Sequence, residues 1–483
     1  MKEVFVKIAF LSVAAALAVL GCAGQDPAKY RKVLTGPTSV VTPSTCPGQT
    51  LTLEEAMAMA NAHNERLSIS GEDYVQALIE KDRAIWNFLP QVALQPNYFV
   101  MDAVHFPPAQ AAFREFLPQH AFDLPLNVRS NLFNGFRDVE AVEKAASFTE
   151  QRKALLLDMQ SMILVEVAQV YYQVLRQEKL AEVLTESAQV QENRVTDLEN
   201  KLKAGTVRAV DVSQARAQAA NTRSQLLAAR ADAQKGRFVL AFVTGAFEIN
   251  SHLVDEFEVP PLPPVEQLAA LGEGQRQDLA AAAAGIGAAK YNVQQALGQY
   301  APSVTLNLST YLYRESFPST SEWNTLLTVN IPLFSAGQIE ANVRTAWSQL
   351  RQACLRERLI RRQILQDVRV AYENVLLAQN TLVELRTQVQ AAEDAYRQAG
   401  EAFRAGVATS LEQLIAQDQL LNAQVQLNSQ EFNYKAAYLS LLRVSGQLMM
   451  QANKVKAVDA ATSRPASQSA TQAAAKLVRQ GAK

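Results

Sequence analysis

The chain has 483 residues, with 46 Lys and Arg against 47 Asp and Glu, so there is no basic excess to neutralise a phosphate backbone and nucleic-acid binding has little support. Three cysteines cannot make a paired disulfide framework. Long stretches rich in Ala, Gln, Leu, Glu and Arg favour helix.

At the amino end Lys2 and Lys7 precede an apolar run from Ile8 to Leu20. The run is too short to span a bilayer comfortably and has the length of a signal-peptide core. The segment Val19-Leu20-Gly21-Cys22 resembles a bacterial lipobox, with Val where Leu is usual. Residues 1–21 are therefore expected to be a signal peptide, and Cys22 the acylated first residue of the mature chain. Ala23, where an Asp would favour inner-membrane retention, implies delivery to the outer membrane. Each buried acyl CH₂ contributes about 0.8 kcal/mol, so several chains anchor stably. Residues 22–50, with Pro27, Pro37, Pro43 and Pro47, read as an anchor and extended strap. No later stretch of 18 or more apolar residues predicts a spanning helix. A bridge between Cys46 and Cys354 stays open, and unpaired thiols are the plainer reading.

Next the chain says the same thing twice. Residues 53–246 overlay residues 267–447. Asn64-Glu65-Arg66-Leu67 falls on Arg276-Gln277-Asp278-Leu279, and Leu89-Pro90-Gln91 on Ala301-Pro302-Ser303, at an offset of 212. Tyr171 falls on Tyr372, and Lys203-Ala204-Gly205-Thr206 on Arg404-Ala405-Gly406-Val407, at an offset of 201. The difference, 212 − 201 = 11, places 11 extra residues in one loop of the first copy. Repeats of roughly 200 residues are duplicated halves rather than solenoid units. Repeat 1 spans 51–246, a Pro-rich linker 247–266, repeat 2 267–448, and a tail expected to be disordered 449–483.

Each repeat contains two strand-like segments, at about 89–101 and 121–133 in the first and about 302–313 and 324–334 in the second. In the second segment Phe122, Leu124, Leu126, Val128 and Leu132 alternate with Asp123, Asn127, Arg129 and Asn131. Later Val304, Leu306, Leu308 and Leu312 alternate with Thr305, Asn307 and Ser309, and Leu327, Val329, Ile331 and Leu333 with Thr328 and Asn330. Segments of about ten alternating residues suit tilted strands crossing a bilayer. Four strands cannot do so alone, because two open edges would leave N–H and C=O groups unpaired in hydrocarbon at several kcal/mol each. Several copies must close one barrel.

Helical hairpins follow, at about 136–245 and 336–447. Apolar residues recur at alternating steps of three and four: Val167, Val170, Val174, Gln177, Ala181, Leu184, Ala188, Gln191, Val195, Leu198, Leu202, and back through Val212, Ala215, Ala219, Thr222, Leu226, Ala229, Ala233, Gly236, Leu240, Val243. The second copy repeats the outgoing seam from Val368 to Phe403 and the returning one through Ala416, Leu420, Ala423, Leu427, Gln430, Tyr434, Ala437, Leu441 and Val444. Such spacing specifies coiled-coil packing. A helix from about Arg137 to Lys203 is on the order of 100 Å long. The turns at Gly205 and Gly406 suit a left-handed helix end.

No enzyme is expected. His63, His105, His120 and His252 lie in no metal-ligand spacing, and no phosphate-binding loop, nucleophile elbow or paired-Cys motif occurs. Gly285-Ile286-Gly287 reads as close helix packing. No cofactor is expected beyond the lipid on Cys22.

Helix, strand hairpin and long helical hairpin, repeated once behind a lipobox, resemble the TolC-type outer-membrane factors of tripartite efflux and secretion systems. The resemblance covers about residues 50–448 and is carried by the paired landmarks above, by Leu132-Phe133-Asn134-Gly135 and Pro332-Leu333-Phe334-Ser335-Ala336-Gly337, and by the two Ala-Gly turns. It implies a mainly α chain with membrane β: a homotrimer with a 12-stranded β-barrel in the outer membrane, joined to an α-helical barrel in the periplasm. It implies a passive exit duct for small molecules, linked by a periplasmic adaptor protein to an inner-membrane pump, with type I protein secretion or metal efflux as alternatives. It places the channel constriction at Glu412 and Asp211, six residues after each turn Gly, and at Ile415 and Gln214, nine after. Only the sixth position is acidic in both copies, so closure must draw on Arg404, Thr409 or an apolar ring at Ile415. It places the adaptor at the turns, around Gly205, Val207, Arg208, Gly406, Val407 and Ser410. A coiled-coil scaffold would explain the seams but neither the strands nor the repeat. A structural envelope lipoprotein would explain the anchor alone.

Overall fold

A computed structural model describes residues 50–102, 120–317 and 320–448, all within one compact unit, Thr45–Lys483. The expectations for Cys22, the signal, most of the strap, Cys46, His105 and the tail lie outside the described residues, as does most of the long loop between the first two strands.

Repeat 1 opens with α1 (Leu53–His63) and α2 (Glu65–Trp86). Thr52 and Glu55 form a capping box at the start of α1: Glu55 N donates to Thr52 Oγ at 3.3 Å and Thr52 N to Glu55 Oε2 at 2.9 Å. Asn64 then breaks the helix. Its side chain accepts from Leu67 N at 3.2 Å and donates to Val243 O at 2.7 Å, tying the joint to the end of the repeat. In repeat 2 the joint lies between α5 (Val265–Gln275) and α6 (Gln277–Leu297). There Arg276 replaces the Asn and pairs with Asp278 at 2.6 Å and Asp367 at 3.0 Å. The same bend is held by an amide in one copy and by ion pairs in the other.

The long helices match the expected bounds closely. The outgoing helices α3 (Arg137–Lys203) and α7 (Gln338–Arg404) each have 67 residues. The returning helices are α4 (Ala209–Thr244) and α8 (Ser410–Val444). Each outgoing helix leaves its strand through two consecutive left-handed residues, Gly135 and Phe136 (φ 70° and 62°) or Ala336 and Gly337 (φ 49° and 81°). Each ends in a Schellman motif: Thr206 N donates to Lys201 O and Gly205 N to Leu202 O, both at 2.9 Å, and Val407 N to Ala402 O and Gly406 N to Phe403 O at 3.0 and 3.1 Å.

The helices lie side by side. Toward the hairpin tips the order is α4, α3, α8, α7; toward the strands it is α2, α3, α6, α7. All ten returning-seam positions of α4 are buried. In α3, Val167, Val174, Leu184, Ala188, Gln191 and Leu198 are buried, whereas Leu202 at the tip is exposed. The α8 seam is less complete: Leu420, Leu427 and Tyr434 are only partly buried, while Gln417, Leu421, Asn428 and Leu442 off that seam are buried. The helix is flanked by α7 on one side and α3 on the other, so it buries two stripes. The apolar stretch of α3, which by length and composition alone would suit a membrane span, includes Ile163, Leu164, Val167 and Tyr171, all at 0% exposure in the main core. Gly285 and Gly287 are indeed packing positions, since an added Cβ would lie 3.0 Å from Gln151 Nε2 and 3.2 Å from Ser147 Oγ of α3.

Two short strands were not expected. β1 (Thr50–Leu51) pairs in parallel with β5 (His252–Leu253), which lies in the linker between the repeats. The Tyr171 hydroxyl clasps them, 2.6 Å from Leu51 O and 2.8 Å from Val254 O. The linker runs over residues 245–264, slightly earlier than the expected 247–266, because α4 ends at Thr244 and α5 begins at Val265.

The remaining strands form one sheet, ordered β2 (Gln91–Leu94), β4 (His120–Phe133), β6 (Ser303–Arg314), β7 (Trp323–Asn330), with β3 (Asn97–Val100) also on β4. Every pairing is antiparallel. The expected first strand is thus split. Pro96 lies in the gap and Pro125 at a register shift of β4 beside it, and neither has an N–H to continue the ladder. β7 stops at Asn330 rather than near 334, because Ser303–Asn330 is the last pair and Pro332 follows.

Candidate functional site: an open strand ribbon and two hairpin tips

The ribbon has two unlike faces. Val92, Val128 and Leu308 form one cross-strand row, and Leu306 faces Leu327 while Val304 faces Val329 on the same side. The opposite side carries the rows Gln91, Arg129, Asn307 and Asn131, Thr305, Thr328. Amides and hydroxyls join there: Asn127 donates to Gln95 Oε1 and Ser309 Oγ to Asn127 Oδ1, each at 2.7 Å. β6 has 12 residues. At about 3.3 Å per residue and a tilt of about 40°, that covers roughly 30 Å, the thickness of a hydrocarbon core. Large apolar side chains are exposed at both ends, Trp86, Phe88, Leu333 and Phe334 toward the helices and Tyr313, Phe317 and Trp323 at the far end. Aromatic residues at both margins of an apolar band mark the two interfaces of a membrane barrel. Within the described residues, the outer edges of β2/β3 and of β7 meet no other strand.

The tips place each expected gate residue in a local role. Glu412 is the third residue of α8, where Thr409 N donates to its Oε2 at 3.2 Å while its own N–H donates to Thr409 Oγ at 3.3 Å. Asp211 occupies the same place in α4. It accepts from Arg208 N at 3.2 Å and Arg208 Nη2 at 3.1 Å, and these bonds hold its carboxyl below the usual carboxylate range. Both carboxylates therefore close their own helix starts, which also suits the helix dipole. Thr409 is committed to the same cap, and Arg404 Nε donates to Gly400 O at 3.2 Å. Ile415 and Gln214, one turn further on, are exposed. Among the docking candidates Gly205, Arg208, Gly406 and Val407 are exposed, Val407 at 81%. Val207 differs, packing against Leu198 and Val212 under the tip.

Ser410 belongs to a contact that the sequence did not suggest. Arg194 of α3 donates through Nη2 to Ser410 O at 2.6 Å and Ser410 Oγ at 3.0 Å. Below it Gln218 of α4 donates to Asp418 Oδ1 of α8 at 2.6 Å. Burial pushes the Arg194 guanidinium down and the Asp418 carboxyl up, the latter eased by Gln218 and Arg194. One signal was available: at the offset of 201, Arg194 falls on Ala395 and Asp418 on Ala217, so each charge is unique to one copy. Beside this tie a cleft of about 650 Å³ between the hairpins is lined by Arg194, Lys201, Arg397, Arg404, Tyr396 and Phe403, among others. No group of His, Cys, Asp and Glu among the described residues is arranged to hold a metal ion.

Residues 271–447 match the family model described as outer membrane efflux protein. The outer membrane efflux protein BepC of Brucella suis biovar 1 is 26% identical over 330 residues, 67% of this chain and 72% of the relative. The outer membrane protein TolC of Escherichia coli is 21% identical over 436 residues, 86% of each chain. The crystal structure of the outer membrane protein VceC from Vibrio cholerae superposes with a TM-score of 0.70 at 22% identity, covering 82% of this chain and 96% of that one.

Proposed function

We propose that the chain, which matches the outer membrane efflux protein model over residues 271–447 and resembles BepC and TolC along most of its length, is the trimeric outer-membrane exit duct of a tripartite efflux system, a passive channel for small molecules. The observation that carries this reading is the ribbon: two central strands, β4 and β6, of membrane-crossing length, one apolar face, one polar face, and two edges that meet no other strand among the described residues. Edges cannot stay open in hydrocarbon, and three copies of four strands make a closed barrel of twelve. The helices support the same closure. In each copy α7 lies at one end of the helix row and α2 or α4 at the other. The free faces hold exposed apolar side chains, Leu355, Val370 and Leu377 on α7 and Ile69, Leu227 and Phe242 on α2 and α4. Joining α7 of one copy to α2 and α4 of the next covers both.

Cys22 carries the lipid that anchors the protein in the outer membrane, with the helical barrel below in the periplasm. The tips form the constriction, Ile415 and Gln214 facing the bore while Glu412 and Asp211 hold the helix starts. A periplasmic adaptor protein docks on the turns around Gly205, Arg208, Gly406, Val407 and Ser410, and an inner-membrane pump supplies the energy.

Extraction tests the reading directly. The protein should leave outer membranes only with detergent, have the mass of three chains, and conduct ions in planar bilayers. A water-soluble monomer without pore activity would overturn it. Replacing Cys22 by Ala should abolish incorporation of labelled palmitate, and labelling that persisted would remove the anchor.

A further inference from the structure

Charged side chains are rare on the strands. β2, β3 and β7 carry none, β4 carries Asp123 and Arg129 besides His120, and β6 carries Arg314. Asp123 and Arg314 face each other in the register near one end of the ribbon. Both are engaged there. Asp123 accepts from Glu315 N and Ser316 N at 3.1 Å and from Ser316 Oγ at 2.6 Å. The Arg314 guanidinium lies 4.1 Å from the Tyr311 ring centroid and donates to Ser316 Oγ at 3.2 Å. Arg129 stands apart. It is exposed on the polar face, and its cross-strand neighbours Gln91 and Asn307 are neutral amides, as are Asn127 and Asn131 along its own strand.

We propose that Arg129 from each copy forms a cationic ring in the lumen of the barrel, a transit site for anions and above all for multivalent anionic solutes. The inference rests on the trimeric-barrel reading, which turns the polar face inward. An arginine on the other face would meet lipid at a cost of about 2–4 kcal/mol near the midplane, whereas here it meets water. Twelve strands about 4.8 Å apart, tilted by about 40°, give a backbone radius of roughly 12 Å. An inward-reaching arginine then brings its charge within one Debye length, about 10 Å at 0.1 M salt, of the axis. Three such charges attract anions and repel cations, as rings of Arg or Lys do in anion-selective pores. The carboxylates at the hairpin tips are separated from this ring by a helix on the order of 100 Å long, so their contribution is the same in every variant compared.

The test is the chloride-over-potassium permeability ratio of the reconstituted channel under a KCl gradient. Arg129→Gln should lower the ratio by about two- to fivefold at 0.1 M salt and by less at 1 M, Arg129→Glu should lower it further, and Arg129→Lys should preserve it. Tripolyphosphate added on the barrel side should reduce current through the parent channel and leave Arg129→Gln unaffected. Where a substitution of Arg129 blocks assembly, Asn307→Glu sets a carboxylate beside the intact arginine and should lower the ratio as well. Assembled, conducting variants with an unchanged ratio overturn the ring and leave the channel intact. A parent protein that conducts nothing overturns the barrel itself, and the ring with it.

Discussion

The guanidinium of Arg194 reaches out of the first repeat to hold Ser410, the first residue of the last helix in the second, with bonds of 2.6 and 3.0 Å to its carbonyl and hydroxyl oxygens. Each hairpin is thus closed by its own turn, and Arg194 ties it to its neighbour beside the Gln218–Asp418 bond. Arg194→Ala should cost little global stability, about 1 kcal/mol once partial exposure is allowed for. It should speed amide hydrogen exchange around residues 405–418 several-fold. Exchange unaltered there would mean that the tie does not restrain the tip.

Leu306 and Asn307 are sequence neighbours on opposite faces of β6, opposite Leu327 and Leu326 of β7. Leu306→Arg should therefore cost about 2–4 kcal/mol of barrel stability if it lies near the midplane. Asn307→Arg should be tolerated. Gel mobility of the unheated trimer, followed as temperature rises, reports the difference, and equal losses for the two variants would reverse the assignment of faces.

Gly205 has φ 74° and nothing within 4 Å of an added Cβ, so only its backbone resists substitution. Gly205→Ala should destabilise the first hairpin by about 1–2 kcal/mol, and Gly205→Asn by less, because Asn tolerates the left-handed region. Thermal melts of the three proteins decide this, with Ala equal to Gly as the contrary result.

Asp158 faces Asp278, Arg276 and Arg443, and burial together with Asp278 raises its carboxyl above the ordinary value despite the two arginines. A carboxyl raised in the folded state binds its proton more tightly than in the unfolded chain. Its ionisation therefore costs stability at neutral pH, and the cost is relieved as pH falls through the folded value. Asp158→Asn should melt at or above the parent temperature at pH 7, and that advantage should shrink toward pH 4. A variant less stable at pH 7 would show that the Arg443 pair outweighs burial.

Much of the architecture was legible because it repeats. Gly205 and Gly406, the seam from Val212 to Val243 and the alternation through Leu306 and Leu327 follow from spacing alone, since a helix has one period and a strand another. Where neighbours intervene, the reading fell short. The second buried stripe of α8, through Leu421 and Leu442, answers to α3 as well as α7. The first strand breaks where Pro96 and Pro125 approach each other across β-strands, and neither proline announces the other in sequence. The β1–β5 pair depends on Tyr171, far from both in the chain.

By itself the sequence determined where the long helices and the sheet strands lie, where the hairpins turn, and that the strands have too many edges to stand alone in lipid; these are consequences of periodicity, chirality and unpaired backbone groups. Only the tertiary structure decided that Glu412 and Asp211 cap their own helices, that Arg194 reaches across to join the tips, and that Arg129 is the strand charge without an engaged partner among the described residues. A side chain's role depends on what lies across from it, and elements distant in sequence supply that.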